Sequence, residues 1–341
     1  MATKSKRSGK KFFFAVATIA ILAVLFVLWQ RTTSFADRPL VSDDRPRVLL
    51  VDRGDGFNTI IAKIRALGLR QGSDFEWKAL ATSMKVADRL QAGEYAIAPG
   101  TSPRMLLDKL ALGEVLQHKF TIVEGWNFRE LRAALQADPG LKHEISQLSD
   151  AEIMEKLSRH GTHPEGRFLP ETYVYSRGAG ELSLLARASK AMDKSLAEVW
   201  QARAKELPLR SPEQLLTMAS IVEKETALAS ERPLIAGVFE HRLQLGMRLQ
   251  TDPTVIYGMG SAYAGNIRKS DLETDTPYNT YVRSGLPPTP IAMPGKQALL
   301  AVAHPTGSKA LYFVARGDGS HYFSADLAEH NAAVQKFQLK H

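Results

Sequence analysis

An uninterrupted apolar run near the N-terminus places the tightest limit on how this chain of 341 residues can fold. The run, FFFAVATIAILAVLFVLW (Phe12–Trp29), is 18 residues long, and its one weakly polar member is Thr18. As a helix it would be roughly 27 Å long, close to the thickness of the hydrocarbon core of a bilayer. The run therefore predicts a transmembrane helix, with Trp29 as an anchor at the membrane interface.

The charges that precede this run predict its orientation. Residues 1–11 form a basic tail with five lysines and arginines and no acidic residue. Because positively charged loops stay inside, we expect a cytoplasmic N-terminus, a span at residues 12–29, and a body on the opposite side. A cleaved signal peptide is the alternative. However, the run exceeds the usual ~7–15 apolar residues, and SFA at residues 34–36 is a poor cleavage site.

Composition excludes several classes of function. The net charge is +8, but without the basic tail the remaining chain carries only +3, and no basic stripe with interleaved aromatic residues occurs. Nucleic-acid binding is therefore not expected. The absence of cysteine excludes a disulfide framework, a thiolate metal site and a cysteine nucleophile. The HGTH stretch at residues 160–163 has no third ligand nearby, so no metal is expected either.

The sequence after the apolar run predicts an α+β protein with two folded parts. Residues 30–46 are polar, contain prolines and show no period, which predicts a linker. Short strands and helices alternate over residues 47–115, which predicts a small α/β module. Residues 116–341 predict a larger mixed α+β domain that ends in a hairpin at 310–323 and a last helix.

Two finer predictions concern this larger domain. Residues 140–160 are amphipathic, which predicts a helix. The stretch MRLQTDPTVIYGMG, residues 247–260, predicts a short strand followed by a helix that starts at Asp252-Pro253.

A predicted helix in the middle of the large domain ends in two glutamates. Ser211 is a suitable N-cap, Pro212 suits the first helical position, and Gln214 would complete a capping box. The helix then continues as LLTMASIVEKE, in which Glu223 and Glu225 follow an apolar run.

The helical geometry separates these two carboxylates. At 100° per residue, Glu223 and Glu225 lie about 160° apart around the axis. Thr217, Ser220 and Lys224 gather on a polar face that contains neither glutamate. The two carboxylates therefore flank the apolar stripe on opposite sides and cannot act as an acid–base pair in one pocket.

The geometry leaves two interpretations of these glutamates open. Both could be carboxylates at the edge of the stripe, each paired with a lysine or arginine. Alternatively, one could project into a cleft with an apolar floor, where burial would raise its pKa and allow it to act as an acid near neutral pH.

Four stretches of this sequence resemble the MltG/YceG-like family of endolytic murein (peptidoglycan) transglycosylases. The longest is ASIVEKETALASERPLIAGVFEHRLQLGMRLQTDPTVIYGMG, residues 219–260. The others are EGRFLPETYVY (165–175), TPYNTYVRSGLPPTPIAMPG (276–295) and AHPTGSKALYFVARGDGSHYFSADLAEHN (303–331). Weaker similarity covers about 85–130, so the resemblance extends over most of the chain after the apolar run.

The resemblance implies cleavage of the β-1,4 bond between N-acetylmuramic acid and N-acetylglucosamine, with no cofactor and no metal. It makes Glu225 the catalytic residue and Glu223 a supporting one. An ordinary glycosidase needs two carboxylates. In a lytic transglycosylase Glu225 would protonate the leaving oxygen and then deprotonate the C6 hydroxyl of muramic acid. That hydroxyl closes a 1,6-anhydro ring within the same sugar, so its high effective concentration replaces an activated water.

Other residues receive roles from the resemblance beside a structural interpretation. Asp252 suits a helix N-cap before Pro253, while the resemblance places it, together with Gln250, near the cleft. Asn279 in YNTY is either a turn residue or an amide that binds sugar. Glu165 either braces its loop or lies in the cleft.

The resemblance also implies context and leaves alternatives. It makes residues 47–115 a LysM-like glycan-binding module and the protein a single-pass inner-membrane enzyme that faces the periplasm. Its partners would be peptidoglycan strands and, through the family's link to wall synthesis, peptidoglycan synthases. The alternatives are a lysozyme-like hydrolase that uses Glu225 and Asp252, and a wall-binding scaffold without activity.

Overall fold

The computed structural model describes the backbone of residues 6–41 and 43–339, and leaves undescribed the side chains of residues 6–12, 25, 27–29 and 32. Its helices are α1 (Lys6–Ala36), α2 (Phe57–Ala66), α3 (Asp74–Ser83), α4 (Pro103–Leu112), α5 (Phe128–Ala137), α6 (Asp150–Lys156), α7 (Glu181–Ala202), α8 (Pro212–Glu225), α9 (Arg232–Gln244), α10 (Asp252–Met259), α11 (Lys269–Glu273), α12 (Lys296–Ala303) and α13 (Leu327–Phe337). Its strands are β1 (Arg47–Val51), β2 (Gly93–Ile97), β3 (Gln117–Thr121), β4 (Thr172–Ser176), β5 (Tyr312–Ala315) and β6 (His321–Ser324). This is a mixed α+β protein, as the sequence predicts.

The chain divides into two compact units between His118 and Lys119, a few residues after the predicted boundary. In unit 1, β1 and β2 form an antiparallel pair, with Arg47 opposite Ile97. The apolar side chains of α2 at Ile60, Ile61 and Ile64 are buried in the core of this unit, and the Ser102 side chain caps the start of α4. Helix α3 was not predicted. It starts at a capping box formed by Ser73 and Glu76.

Part of the predicted linker belongs to the core of unit 1. Helix α1 continues to Ala36, and Phe35, Ala36 and Leu40 are all buried there. The ring of Phe35 meets Trp77 edge to face at 5.2 Å. The same ring packs against Gly72. A Cβ at residue 72 would lie only 2.2 Å from the ring, so no larger side chain fits there. The linker prediction for residues 30–46 is therefore wrong for this segment, because a few large apolar side chains can dock without any repeating pattern.

Within the described part of the chain, no helix is long and apolar enough to cross a membrane. The predicted span, Phe12–Trp29, includes positions 12, 25 and 27–29, whose side chains lie outside the described part. The basic tail is also largely outside it: residues 1–5 are not described, and residues 6–11 are described in the backbone alone.

Unit 2 is built around α8, which packs against α7, α9, α10 and α12. Every residue from Leu215 to Val222 is buried, including Thr217 and Ser220. The predicted polar face is therefore wrong for Thr217 and Ser220, while its third member, Lys224, is exposed. Ser220 can be buried because its hydroxyl donates to the carbonyl of Thr217 (2.7 Å) and accepts from the backbone N–H of Ile291 (3.0 Å).

The strands of unit 2 form small two-stranded sheets, β3 with β4 and β5 with β6. The predicted hairpin is confirmed, since Tyr312 pairs with Ser324 and Ala315 with His321. The strand predicted just before α10 is wrong: the segment is a loop, in which Met247 donates to the carbonyl of Arg242 and Gln250 to that of Thr280, and it joins no sheet among the described residues. The helix predicted over residues 140–160 is reduced to the seven residues of α6.

The packing of Phe35 yields the first prediction. We expect Phe35→Ala to lower the free energy of unfolding of unit 1 by about 3–5 kcal/mol, the usual range for truncation of a buried phenylalanine. Chemical denaturation followed by the fluorescence of Trp77 would measure the change. Arg38→Ala, at an exposed position three residues later, is the matched control. An equal response of both variants would contradict the buried role of Phe35.

Candidate active site

The two glutamates lie at the C-terminal end of α8. Its start follows the prediction in part: the Ser211 side chain accepts from the backbone N–H of Gln214 at 3.3 Å. The Gln214 side chain accepts from the backbone N–H of Arg210, so the capping box is not closed. Glu225 is the last helical residue, and the extended backbone of Thr226 ends the helix.

Glu223 is held in a structural cluster. Its carboxylate pairs with the Arg232 guanidinium at 3.3 Å and accepts the backbone N–H of Gly295 at 2.9 Å. The side chain is only 5% exposed. Burial raises its pKa, while the hydrogen bond from Gly295 and the charge of Arg232 oppose that rise. Glu223 thus links the end of α8 to the starts of α9 and α12.

Glu225 has different surroundings, as the predicted separation around the helix requires. Its carboxyl accepts a short hydrogen bond from the Thr251 hydroxyl. Burial raises its pKa to about 7, against the hydrogen bond from Thr251, and the negative charge of Asp252 adds to the rise. A position at the C-terminal end of a helix also disfavours a carboxylate. A substantial fraction of Glu225 therefore carries a proton at neutral pH and can donate it.

Glu225 opens onto a cavity of about 510 Å³, here called the Glu225 cavity. Its walls come from the ends of α8 and α9, the start of α10, the β5–β6 hairpin and α13. The polar side chains around it include Arg242, Gln250, Asp252, Tyr281 and His321. The size is in the range of a pocket for a small ligand or a segment of a polymer.

Asp252 lines this cavity but is not a cap. Thr251 is the residue before α10, and Asp252 is the first helical residue, so the predicted N-cap role is wrong. Its carboxylate instead accepts the hydroxyl of Tyr281 at 2.6 Å. Asp252 is thus held at the rim of the same cavity as Glu225.

Asn279 does not reach the cavity, which corrects its predicted contact with sugar. The residue is fully buried. Its amide nitrogen donates to the carbonyls of Asp271, Leu272 and Thr274, and its oxygen accepts the backbone N–H of Tyr281. All of these partners are backbone groups. Asn279 therefore shapes the loop that carries Tyr281.

Gln250 lines the cavity from a strained position. Its φ of 51° lies in the left-handed region, which is uncommon for a residue other than glycine. The backbone N–H of Gln250 donates to the carbonyl of Thr280 at 3.2 Å, which holds this conformation. The exposed side chain is left to face solvent and the cavity.

Glu165 lies in a second cavity of about 920 Å³, here called the Glu165 cavity. Its carboxylate accepts the backbone N–H of Phe128 (3.1 Å) and the hydroxyl of Tyr257 (3.0 Å). Burial raises its pKa to about 7 against these hydrogen bonds. Glu165 thus both braces its loop and lines a cleft, but the cleft is not the one that Glu225 lines.

Arg242 and His321 line the Glu225 cavity and were not predicted from the sequence. The buried Arg242 donates to the carbonyls of Leu249 and Leu311, both at 2.7 Å, and its guanidinium lies 5.1 Å from the centre of the Tyr312 ring. His321, at the start of β6, is hydrogen-bonded to Glu231. The predicted hairpin contained His321, but nothing in a hairpin pattern says which face meets the end of a distant helix.

No group of three or more histidine, aspartate or glutamate side chains suited to a metal ion occurs within the described residues. The polar groups of the Glu225 cavity are instead a proton donor, a second carboxylate, a guanidinium and an imidazole. Such a set can protonate a leaving group and bind the hydroxyl and acyl oxygens of a polar polymer.

The chain is similar to known proteins of one family. The sequence model of the YceG-like family matches residues 49–336. The endolytic murein transglycosylase of Bacillus subtilis (strain 168) is 33% identical over 270 residues, which is 74% of each chain. That of Streptococcus pneumoniae serotype 2 (strain D39) is 35% identical over 176 residues, 50% of this chain and 31% of the relative.

A solved structure is also similar. The crystal structure of a YceG-like protein from Listeria monocytogenes is 28% identical, with a TM-score of 0.55. The match covers 85% of this chain and 99% of that one.

The environment of Glu225 predicts how stability depends on pH. A carboxyl whose pKa is raised from 4.5 to about 7 on folding contributes stability below pH 4.5 that is lost as the pH rises through 7. Glu225→Gln removes this loss, which amounts to at most about 3 kcal/mol. We expect the variant to melt like the wild type at pH 4.5 and at a higher temperature at pH 8. Equal melting temperatures at both pH values would contradict the burial of this carboxyl.

Proposed function

The chain belongs to the YceG-like family, and we propose that it is an endolytic peptidoglycan lytic transglycosylase whose catalytic residue is Glu225. The single observation that carries this proposal is a carboxyl with a pKa of about 7 at the wall of a polar cavity. The relatives named endolytic murein transglycosylase support the reaction class. The substrate is the glycan strand of peptidoglycan.

The reaction begins with the protonated form of Glu225. This carboxyl donates its proton to the oxygen of the β-1,4 bond between N-acetylmuramic acid and N-acetylglucosamine, and the bond from C1 to that oxygen breaks. The C6 hydroxyl of the same muramic acid attacks C1 and closes a 1,6-anhydro ring. In the simplest scheme the Glu225 carboxylate then accepts the proton of that hydroxyl, so that one side chain serves both steps.

The surroundings of Glu225 suit this reaction. Burial keeps the proton available near neutral pH, and the Thr251 hydrogen bond fixes the carboxyl. Arg242 supplies a buried positive charge at the cavity, while Gln250 and Asp252 offer hydrogen bonds to sugar hydroxyl and acetamido groups. We propose that Glu223 supports catalysis indirectly, because its contacts hold the end of α8 in place.

A hydrolase is the second candidate, because Glu225 and Asp252 line the same cavity. A pair of carboxylates is what a lysozyme-like enzyme needs to use water. Its products would carry reducing muramic acid ends. A scaffold without activity is the third candidate, and it requires that Glu225 can be changed without loss of function in cells.

The products distinguish these candidates. We expect purified glycan strands digested by the wild type to yield 1,6-anhydro ends, lighter by one water than reducing ends, when examined by mass spectrometry. Glu225→Gln should lower the rate at least about 100-fold, because an amide cannot donate the proton. Glu223→Gln should lower it less, since it weakens only the pair with Arg232.

Glu213→Gln is the matched control, because it makes the same change at an exposed position of the same helix. It should cleave like the wild type. Reducing ends from the wild type would establish the hydrolase, and full complementation of a null strain by Glu225→Gln would establish the scaffold.

We also propose the cellular setting that the sequence predicts. The apolar run Phe12–Trp29 and the basic tail support an inner-membrane anchor with a cytoplasmic N-terminus and a periplasmic body. An anchor would restrict cleavage to glycan close to the membrane, where peptidoglycan synthases would be its partners. Residues 47–115 would act there as a LysM-like glycan-binding module, a role supported by the resemblance and by the way their strands and helices alternate.

Removal of residues 1–30 tests this setting. We expect the full chain to sediment with membranes and the shortened chain to be released, because the apolar run is the proposed attachment. If the shortened chain stays with membranes, the anchor is wrong. Binding of the released chain to insoluble peptidoglycan, compared with that of residues 119–341 alone, tests the module in the same preparation.

A further inference from the structure

His321 lies on the wall of the Glu225 cavity and is built into it firmly. Its side chain is 13% exposed, and its ring contacts Phe313 edge to face at 5.4 Å. The ring of Phe323, two residues along β6, has its centre 6.5 Å from the centre of the His321 ring. Antiparallel pairing of Ala315 with His321 fixes the backbone of this residue. The imidazole therefore has little freedom to rotate.

Glu231 sets the orientation and tautomer of this imidazole. One oxygen of its carboxylate lies 2.7 Å from Nδ1 of His321, and the other accepts the backbone N–H of the same residue at 2.8 Å. Burial would raise the pKa of Glu231, but the hydrogen bonds from His321 hold it below its ordinary value. An ionised carboxylate can only accept, so Nδ1 carries the proton and Nε2 of the neutral ring has a free lone pair.

Nε2 is available to a ligand. Within the described residues it has no hydrogen bond, and the ring lines the Glu225 cavity. The same cluster is tied to the catalytic helix, because the Thr226 hydroxyl donates to Glu231 at 3.4 Å, one residue after Glu225. The charged and titratable groups around this cavity, besides the Glu231 partner, are Glu225, Arg242, Asp252, Tyr281, Tyr312 and His330.

We propose that His321 is a second catalytic residue, which accepts the proton of the C6 hydroxyl of muramic acid at Nε2 while Glu225 protonates the leaving oxygen. The inference rests on the proposed transglycosylase function and replaces the second role of Glu225. Glu231 is then a positioning residue. The arrangement places a proton donor and a proton acceptor on two walls of one cavity. Neither group then has to reach both the leaving oxygen and the C6 hydroxyl.

The step balances without any further reactant. The bond from C1 to the glycosidic oxygen breaks, and its electron pair stays on that oxygen, which takes the Glu225 proton. The C6 oxygen forms a bond to C1, and its proton passes to Nε2. The imidazolium then returns a proton to the Glu225 carboxylate through solvent, which restores both groups.

His321→Asn tests this inference. An asparagine amide can keep the donor to Glu231 but has no base at the position of Nε2. We expect kcat for release of anhydro ends to fall at least about 100-fold, the lower end for general acid–base catalysis, with KM and the melting temperature close to those of the wild type. His304→Asn, at an exposed position outside the cavity, is the matched control and should be unchanged.

The pH profile separates catalysis from structure. With a separate donor and acceptor, we expect kcat/KM of the wild type to fall on the acid side, where a general base is blocked, and on the alkaline side, where Glu225 loses its proton. The acid-side fall should vanish in His321→Asn while the alkaline-side fall persists. Added imidazole should restore activity to His321→Ala, which covers the case in which the asparagine variant folds poorly.

Three outcomes would overturn the inference: less than about a 3-fold loss of kcat in His321→Asn, an unchanged acid side of its pH profile, or no rescue of folded His321→Ala by imidazole. These outcomes leave the proposed function intact as long as the wild type produces anhydro ends. Absence of anhydro ends from the wild type would instead remove the proposed function itself.

Discussion

Burial of α8 on every side is the constraint on which unit 2 depends. A helix that is surrounded by α7, α9, α10 and α12 has no solvated face along most of its length. Any charged group at its end must therefore find a partner, meet a cavity or lose its charge. Glu223 and Glu225 stand at that end, and the two carboxyls meet this constraint in different ways.

The difference lies in their partners. Glu223 receives a guanidinium and a backbone N–H, which suit a charged carboxylate in a structural role. Glu225 receives one neutral hydroxyl and the nearby negative charge of Asp252, which suit a carboxyl that holds a proton. Burial raises the pKa of both carboxyls, but their partners differ because the two side chains leave the helix in different directions.

A raised pKa does not by itself mark a catalytic group in this protein. Burial also raises the pKa of Glu165 to about 7 and that of Glu240 to about 8. Glu240 lines neither of the two cavities described, and its Oε1 has no partner within the described residues. Glu165 also lines a cavity that presents an aspartate and a histidine, Asp150 and His163. The proposal for Glu225 therefore rests on its place in the family motif together with its raised pKa and its cavity.

The sequence by itself determined the elements whose signals are local. The Ser211 cap, the C-terminal hairpin and the separation of Glu223 from Glu225 depend on neighbouring residues and on the helical repeat, and each appears as predicted. Only the tertiary structure decided which surfaces these elements cover, because burial depends on segments that are distant along the chain. It buried Phe35 and Ser220, turned Asn279 toward the backbone, and brought His321 beside Glu225 across almost a hundred residues. No local pattern could predict that approach, since it arises only when the hairpin and the end of α8 pack into one core.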